Sequence, residues 1–346
     1  MTKEKEVLSE GMKILGIDTS CDDTSVAIVE DGRSIQSNII SSQIELHKKY
    51  GGIVPELASR QHVELINYII EEALQKADVN LTDLSAIAVT NRPGLIGALL
   101  VGVSAAKSLA YCCQLPLLGI NHIEGHIYAP FMEHDQLTFP HLCSTVSGGH
   151  TLLVEVPEGW ENYHVLGSTQ DDAAGEAYDK VAKYLGLGFP GGKIIDDLAK
   201  MGDETAITFP RPMLNSGNYQ FSYSGIKTSV RNFVEKATKN QELPSVEDIA
   251  ASFQAAAVEV LVAKTIRATK EKGYRTITLT GGVAANSLLR KEMEIAGEEI
   301  GAKVFYPSIR LCTDNAAMIA GLAYQKYCQG QRDDFDLNAS ANSEII

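Results

Sequence analysis

The fold is decided by two stretches of similar design, "ILGIDTSCDDTSVAIVEDG" (residues 14–32) and "HLCSTVSGGHTLLVEVPEG" (residues 141–159). Each reads as an apolar strand, a turn of small polar residues, a second apolar strand and an acidic turn that ends in glycine. A plan that recurs along one chain indicates a duplicated domain. In each half a third strand and then alternating helices and strands follow, so we expect two mixed α/β sheets flanked by helices, with a cleft between the domains.

These patterns divide the chain into an N-terminal extension (residues 1–12), a first domain (13–137), a second domain (138–330) and an acidic tail (331–346). The stretch near 186–244 interrupts the rhythm because it is rich in Gly, Pro, Asn and Ser. We interpret it as an insertion in the second domain, since irregular segments of such length are usually functional or disordered.

Composition limits the classes of protein that the chain can belong to. It has 346 residues, 45% of them apolar, and six cysteines without C-x-x-C spacing, which favours a globular protein in a reducing compartment. The charged N-terminus argues against a secretory signal, and the most apolar stretch (95–106) is shorter than the ~18 residues that a membrane span needs. We therefore expect a cytoplasmic protein without a membrane segment. Its net charge of −14 disfavours a polyanion partner, unless positive charge is gathered locally or supplied by another subunit.

The sequence "NHIEGH" (residues 121–126) places His122 and His126 four positions apart, so on a helix both rings could face one metal ion. Glu124 would point about 200° away from the first histidine. That placement differs from the H-E-x-x-H helix of zinc proteases, whose glutamate directly follows the first histidine. The competing interpretation is the start of a helix with two satisfied polar histidines.

Carboxylates in two other turns could complete such a site. In "LCTDNAAMIA" (311–320), Asp314 stands at the start of the last predicted helix, either as its N-cap or as the third ligand of a His₂Asp site with open positions, as expected of Zn or Fe. In "TSCDDTS" (19–25), Asp22 and Asp23 are either solvated at a hairpin tip or placed to hold a metal, orient a nucleophile or accept its proton.

Two glycine pairs suggest a site for an anionic ligand. In "SGGH" (147–150) the glycines allow either a plain hairpin or a close approach of backbone N–H groups to an anion. In "LTGGVAANSLLRK" (279–291) a strand leads through two glycines into a helix, which is a common place for ligand-binding amides. Asn286 could bond a base or a ribose there, or could cap the helix.

The stretch "DDAAGEAYDKVAKYLGLGFPGG" (171–192) predicts an amphipathic helix followed by a glycine turn. Its acidic side is either a solvated surface or a ribose site. In the second interpretation Asp179 and, beyond the turn, Asp196 accept hydrogen bonds from ribose hydroxyls.

Ten motifs in order resemble the tRNA N6-adenosine threonylcarbamoyltransferase family, bacterial TsaD type. They are "GIDTSCDDT", "YGGIVPELASRQH", "PGLIGALLVG", "NHIEGHIYAP", "VSGGHT", "DDAAGEAYDK", "FPGG", "FSYSGIKT", "GGVAAN" and "CTDNAAMIA". The resemblance implies the actin/hexokinase/Hsp70-like (ASKHA) fold of two duplicated ribonuclease-H-like domains. It also implies one divalent ion per subunit, iron or zinc, on His122, His126 and Asp314, and a catalytic role for Asp22. The positions that it implies for the adenine nucleotide substrate are Thr145, Val146, Ser147, Gly148, Gly149, Asp179, Gly192, Asp196 and Asn286.

The reaction implied by the resemblance transfers a threonylcarbamoyl group from threonylcarbamoyl-AMP to N6 of the adenosine 3′ to the anticodon, position 37, in tRNAs that read A-starting codons, forming t6A. Implied partners are tRNA, a TsaB-type paralogue, a TsaE-type ATPase and a TsaC-type synthase that supplies the adenylate. Two other functions of the fold stay open from the residues alone: a nucleotide-gated interaction module that binds ATP or ADP, and a kinase. Side chains that could contact tRNA near the insertion are Arg211, Lys227, Arg231, Lys264, Arg267 and Lys270, with Tyr219, Phe221 and Tyr223 as stacking platforms.

The chain departs from the family pattern at three places. Aspartate stands at positions 18 and 23 where the family usually has glutamate, which shortens the reach of the carboxylate. Asn91 and Arg92 precede Pro93 where the family commonly has glycine, which could alter that loop. Lys193 replaces a common proline and could add a cation near the nucleotide.

Overall fold

The structure is a computed structural model that describes residues 11–342. The chain forms two compact units: residues up to Asp135 together with those from Thr313 onward, and Gln136–Cys312.

The sheet of the first unit has the strand order β3-β2-β1-β4-β5. β1, β2 and β3 form an antiparallel meander, and β4 and β5 continue the sheet in parallel with β1. In β1 and β2, buried and exposed side chains hardly alternate. Almost all of their residues are buried, as expected of strands that are covered on both faces. The strands are β1 (Lys13–Asp18), β2 (Asp23–Glu30), β3 (Ser34–Ser42), β4 (Ala86–Arg92) and β5 (Leu117–Asn121), and the helices are α1 (Ile44–Lys48), α2 (Pro55–Ala77), α3 (Ile96–Cys113) and α4 (His122–Tyr128).

The second unit repeats this topology, with the strand order β10-β9-β6-β7-β8. Here β6, β7 and β8 form the antiparallel meander, and β9 and β10 run parallel with β6. The strands are β6 (His141–Val146), β7 (Thr151–Val156), β8 (His164–Ser168), β9 (Thr276–Thr280) and β10 (Lys303–Phe305), and the helices are α5 (Ala174–Tyr184), α6 (Gly191–Ala199), α7 (Ser224–Asn240), α8 (Val246–Lys272), α9 (Ser287–Glu299) and α10 (Ile309–Cys312). The prediction of two duplicated α/β domains with mixed sheets is confirmed.

The last helix, α11 (Ala316–Cys328), belongs to the first unit. It packs against β1 so closely that a Cβ on Gly16 would lie 2.6 Å from the carbonyl oxygen of Ala316. The structure thus differs from the predicted boundaries, which gave residues 313–330 to the second domain. The predicted tail also belongs to the first unit as far as Asn342, since Asp333 pairs with Leu117 of β5.

The stretch predicted as an insertion contains regular structure. Helices α6 and α7 occupy much of residues 186–244, and α6 packs on α8. Between the two helices the chain is irregular, but Phe209, Phe221 and Tyr223 are buried in the core of the second unit. This stretch therefore contributes to the core of the second unit, and it is not an irregular loop added to that unit.

Within residues 11–342, two helices are long and apolar enough to cross a membrane, if length and composition alone are considered. One of them is α3, whose 18 residues include most of the apolar stretch 95–106 and end at Cys113; it packs against α2 and β4. In α8, 78% of the apolar window is buried inside the unit. Core helices of soluble proteins pass the same test, so this is weak evidence for a membrane span.

Candidate functional site

Two histidines of the first unit share one side of α4. The helix begins at His122. The side chain of Asn121 caps it, accepting hydrogen bonds from the backbone N–H groups of Ile123 and Glu124 at 2.8 and 3.4 Å. His122 and His126 follow one another by about one turn, and their ring centroids are 4.7 Å apart. The helical placement predicted from their spacing is confirmed.

Asp314 brings a carboxylate to these two rings. Its Oδ1 lies 3.1 Å from His126 Nε2 and 3.4 Å from His122 Nε2. The cap of α11 is the next residue, Asn315, whose side chain accepts a hydrogen bond from the N–H of Met318 at 3.1 Å. The predicted N-cap role of Asp314 is therefore taken by its neighbour. One potential ligand atom from each of the three residues lies within 4.8 Å of the other two.

Buried charge makes this cluster favourable for a cation. His122 Nδ1 is 3.1 Å from Asp18 Oδ2 and 3.2 Å from Ser20 Oγ, contacts that fix the ring with Nε2 toward Asp314. Burial opposes a charge on His122, but Asp314 and Asp18 outweigh it and raise the pKa of the ring well above its usual value. Burial of Asp314 is likewise outweighed by His122 and His126, which hold its pKa well below its usual value. Two imidazole nitrogens and one carboxylate oxygen in such surroundings fit a divalent transition metal ion with open coordination positions.

Glu124, between the two histidines in sequence, faces away from them, as predicted. It is buried and forms an ion pair with Lys326 of α11. Burial raises the pKa of Glu124, against the lowering effects of Lys326 and then Arg92. Glu124 is therefore engaged in packing α4 against α11. The sequence analysis missed Lys326, because a lysine near the end of an apolar helix carries no motif.

Asp22 lies in the turn between β1 and β2, and Asp23 is the first residue of β2. Burial raises the pKa of Asp22, and the charge of Asp314 raises it further. Burial raises the pKa of Asp23 to about 7. Its Oδ1 is buried, with no hydrogen-bond partner among residues 11–342. Both residues are partly buried, which disfavours the alternative of two fully solvated carboxylates at a hairpin tip.

A buried histidine that the sequence analysis did not single out supports this turn. His62 on α2 is fully buried, with Nδ1 2.7 Å from Thr24 Oγ1 and Nε2 3.0 Å from the carbonyl oxygen of Cys21. Burial lowers the pKa of His62, so its neutral form is favoured. The only sequence signal was its place in the motif "ELASRQH", which gives no indication of these contacts.

In the second unit the glycine turn after β6 leaves backbone uncovered. At Gly148 and Gly149 a Cβ would meet nothing within 4 Å. The turn rests on the start of α5, where the N–H of Gly175 donates to the carbonyl oxygen of Ser147 at 3.2 Å. Thr145, by contrast, is fully buried, and its hydroxyl lies 2.9 Å from that of Thr280.

Three further predicted substrate residues belong to the same unit: Asp179 in the middle of α5, Gly192 at the start of α6 and Val146 at the end of β6. Asp179 accepts a hydrogen bond from the N–H of Gly191 at 2.6 Å, which fixes the glycine turn before α6. At Gly192 a Cβ would meet nothing within 4 Å. Val146 is buried, and its carbonyl oxygen would lie 2.5 Å from a Cβ on Gly281. These contacts hold the two turns in fixed positions within the unit.

Asp196 and Asn286 are connected by a residue that the sequence analysis missed. Gln254 on α8 is 2% exposed, donates to Asp196 Oδ1 at 3.2 Å and accepts from Asn286 Nδ2 at 2.7 Å. Asn286 also caps α9 through the N–H of Leu289, as the capping interpretation predicted. Asp196 Oδ1 accepts a further bond from Ser287 Oγ at 2.8 Å. The sole signal in the sequence was an amide within an apolar helix.

The structure contradicts part of the predicted tRNA surface. Phe221 and Tyr223 are buried in the core and cannot stack on bases. Lys264 is also buried, and it donates to the carbonyl oxygen of Asn218 at 3.0 Å. Other basic side chains of this region pair with carboxylates: Arg211 with Glu259, Lys227 with Asp172, Arg231 with Glu235 and Arg267 with Glu271. Lys193, predicted to add a cation, pairs with Asp197.

The chain matches a family model described as tRNA N6-adenosine threonylcarbamoyltransferase over residues 34–321. A curated protein of that name from Clostridioides difficile (strain 630) is 52% identical over 332 residues, covering 96% of this chain and 98% of the relative. Another of that name, from Clostridium botulinum (strain Hall), is 49% identical over 338 residues, covering 98% of this chain and 99% of the relative.

Solved structures with little sequence identity share the fold. Full-length HypF in its phosphate- and nucleotide-bound form superposes with a TM-score of 0.59 at 16% identity, covering 96% of this chain and 48% of HypF. Component A of the Acidaminococcus fermentans (R)-2-hydroxyglutaryl-CoA dehydratase gives 0.56 at 17% identity, covering 92% of this chain and 99% of that one. Both have the actin/hexokinase-like fold, so the predicted fold class is confirmed.

Proposed function

This chain belongs to the tRNA N6-adenosine threonylcarbamoyltransferase family, and we propose how its own residues transfer a threonylcarbamoyl group to N6 of adenosine in tRNA. The proposed donor is threonylcarbamoyl-AMP. The proposed acceptor is the adenosine at position 37, 3′ to the anticodon, in tRNAs that read A-starting codons, and the products are t6A and AMP, the leaving group. Membership of this family decides against the kinase and the interaction module that the residues alone left open.

The observation that carries the proposal is the convergence of His122, His126 and Asp314 in the first unit. These three residues would hold one zinc or iron ion, with Asp18 orienting the ring of His122 from the other side. The N6 amine is a weak nucleophile because its lone pair is delocalised into the purine ring. When bound, the ion would act as a Lewis acid that makes the carbamoyl carbon more electrophilic.

Asp22 is the residue of this unit proposed to accept the proton that leaves the N6 amine. An ordinary aspartate is a weak base at neutral pH, since its pKa lies near 4. Burial and the charge of Asp314 raise the pKa of Asp22, which makes it a stronger base than a solvated aspartate. Its position in the turn directly before β2 fixes its backbone.

The second unit is proposed to hold the adenylate. The exposed backbone at Gly148 and Gly149 allows a phosphate to approach N–H groups without a Cβ in the way, and the open position at Gly192 does so at the start of α6. Asp179 fixes the turn before α6, whereas Asp196 and Asn286 are connected to each other through Gln254. They therefore act on the nucleotide by shaping its site, together with any acceptor lone pairs that they retain.

We propose that tRNA docking depends on other subunits. The chain has a net charge of −14, and many basic side chains of the region predicted to contact tRNA already pair within the chain. By family resemblance the partners are a TsaB-type paralogue and a TsaE-type ATPase, with a TsaC-type synthase supplying the adenylate. By the same resemblance we propose a cytoplasmic location.

The test is reconstitution with unmodified tRNA, threonine, bicarbonate, ATP and these partners, followed by mass analysis of the nucleosides. His122→Ala should abolish t6A formation and reduce the metal content of the purified chain. His164→Ala, which removes an exposed histidine on β8, should alter neither quantity. Formation of t6A by the His122 variant at the unaltered rate would refute the proposed metal-assisted transfer.

A further inference from the structure

The segment that follows α11 covers the edge of the first sheet. The N–H of Asp333 donates to the carbonyl oxygen of Leu117 at 2.9 Å, and Asp333 Oδ2 accepts from the N–H of Gly119 at 2.8 Å. Leu337 lies over Gly119, where a Cβ would come within 2.6 Å of it. Because β5 is the last strand of this sheet, these contacts satisfy backbone groups that would otherwise be left at an open edge.

Beyond the edge strand, the same segment reaches the end of β4. Asn91 donates from Nδ2 to the carbonyl oxygen of Asn338 at 3.1 Å, and its own carbonyl oxygen accepts from the N–H of Ser340 at 2.9 Å. The N–H of Gly94 donates to the carbonyl oxygen of Ala341 at 3.2 Å. Asn91 is only 4% exposed. The side chain of Asn91 therefore binds the C-terminal segment.

The loop that receives these bonds is in contact with a neighbour of the metal-binding histidine. A Cβ on Gly94 would lie 2.5 Å from the carbonyl oxygen of Ser20, and that oxygen accepts from the N–H of Leu95 at 2.8 Å. The hydroxyl of Ser20 is 3.2 Å from His122 Nδ1. Consecutive hydrogen bonds and one tight backbone contact thus connect the C-terminal segment to the ring of His122.

We propose that residues 338–341 form a C-terminal strap that positions the loop at 93–95 and, through Ser20, the metal-binding ring of His122. The strap touches neither the ion nor substrate, so its residues are positioning residues. This inference rests on the proposed metal site and adds a structural determinant of its affinity. Loss of a contact behind a metal-binding histidine typically weakens metal binding by about 10- to 100-fold. Because the strap acts through one further residue, we expect a loss of about 10-fold.

Two truncations separate the strap from the rest of the segment. Removal of residues 339–346 deletes the bonds to the N–H of Gly94 and the carbonyl oxygen of Asn91, and retains Asp333 and Leu337 on β5. Removal of residues 343–346 serves as the matched control, because the strap stays intact. Asn91→Asp is a variant of full length that places a carboxylate against the carbonyl oxygen of Asn338. Its control is Asn162→Asp, the same replacement at an exposed position.

Two measurements on the purified, metal-free proteins test the proposal. Titration with Co²⁺ gives the dissociation constant and the visible absorption spectrum of the bound ion, which reports on its ligand geometry. Hydrogen exchange at the Leu95 amide reports on the loop without any metal. The 339–346 truncation and Asn91→Asp should each weaken Co²⁺ binding by about 10-fold and accelerate exchange at Leu95, whereas both controls should match the unaltered chain.

The outcomes distinguish this inference from the proposed metal site. If the unaltered chain binds Co²⁺, and the 339–346 truncation binds it with the same affinity and the same spectrum, the strap has no positioning role. If the unaltered chain binds no Co²⁺, the metal site itself is refuted and the strap inference falls with it. Weaker binding in the control truncation as well would assign the effect to residues 343–346 and overturn the role of 338–341.

Discussion

Lys326→Met should destabilise the first unit by a calculable amount, because it leaves Glu124 buried without its partner. The side chain of Glu124 is 1% exposed and that of Lys326 11% exposed, so water cannot replace the lost ammonium group. Removing one partner of a buried ion pair usually costs about 3–5 kcal/mol. An upper limit follows from protonation: neutralising a carboxyl with the ordinary pKa of 4.5 at pH 7 costs about 3.4 kcal/mol, so a larger penalty would be avoided by taking up a proton.

This limit predicts the pH dependence of the variant. In Lys326→Met, Glu124 is protonated in the folded state and, above pH 4.5, ionised in the unfolded chain. Above pH 4.5 the folded variant therefore binds one more proton than the unfolded variant. Its stability relative to the unaltered chain should therefore fall by about 1.4 kcal/mol for each unit of rising pH, until the full cost of burying the ionised group is reached. The double variant Glu124→Met with Lys326→Met contains no buried charge. It should recover to within about 1 kcal/mol of the unaltered chain.

The assay is urea unfolding of the metal-free protein from pH 5 to pH 8, followed by far-ultraviolet circular dichroism. Trp160, the single tryptophan, lies in the second unit, so its fluorescence reports on that unit during the same titration. A loss smaller than 1 kcal/mol at pH 8, or a loss that does not change with pH, would show that the pair is not buried as described. Failure of the double variant to recover would assign the loss to packing and not to the unpaired charge.

Three further predictions concern single side chains. Gly16→Ala forces α11 away from β1, since the new Cβ would lie 2.6 Å from a carbonyl oxygen. We expect the free energy of unfolding, measured in urea, to fall by about 1–3 kcal/mol. The control is Gly225→Ala on α7, where the new Cβ makes ordinary van der Waals contact and should cost nothing. Gln254→Glu places a carboxylate beside that of Asp196 and should weaken AMP binding, measured calorimetrically, by about 10-fold; unchanged affinity would separate this network from the nucleotide site. Burial raises the pKa of Asp23 to about 7, so the folded chain holds this proton at higher pH than the unfolded chain and loses stability as pH rises from about 4 to 7. Asp23→Asn should remove that loss and gain up to ~4 kcal/mol at pH 8, and parallel pH curves for the two proteins would contradict the shift.

Local patterns predicted those parts of the fold that local physics determines. Alternating turns and buried apolar runs placed the strands of both halves, and the i, i+4 spacing placed His122 and His126 on one side of a helix. Asp314 was different, because it lies 188 residues from His126: the residues alone left it either an N-cap or a metal ligand, and the resemblance to a family favoured the ligand. The structure explains why Asp314 is not the N-cap of α11: the next residue, Asn315, caps that helix.

The features that the sequence did not predict depend on contacts between distant residues. The position of α11 in the first unit follows from small residues, such as Gly16, that admit its backbone, and no local pattern shows which surface a glycine will meet. Phe221 and Tyr223 stand among polar residues, where exposure was the reasonable expectation, yet they are buried in the core of the second unit. Lys326 and Gln254 are polar residues on apolar helices, and their partners become evident only when the helices are packed.

The two halves have the same strand order but differ in the turn between the first two strands, and this difference accounts for the different roles proposed for them. In the first unit Asp22 in the turn and Asp23 at the start of β2 have carboxylates whose pKa values are raised by burial, which suits the proposed proton transfer beside a cation. In the second unit the turn contains Gly148 and Gly149, whose bare backbone suits an anion. A duplicated hairpin fixes the positions of both turns, and only the side chains within them decide which charge each turn attracts. Exchange of the glycines for side chains should therefore impair nucleotide binding without unfolding the sheet, because the space beside both glycines is open.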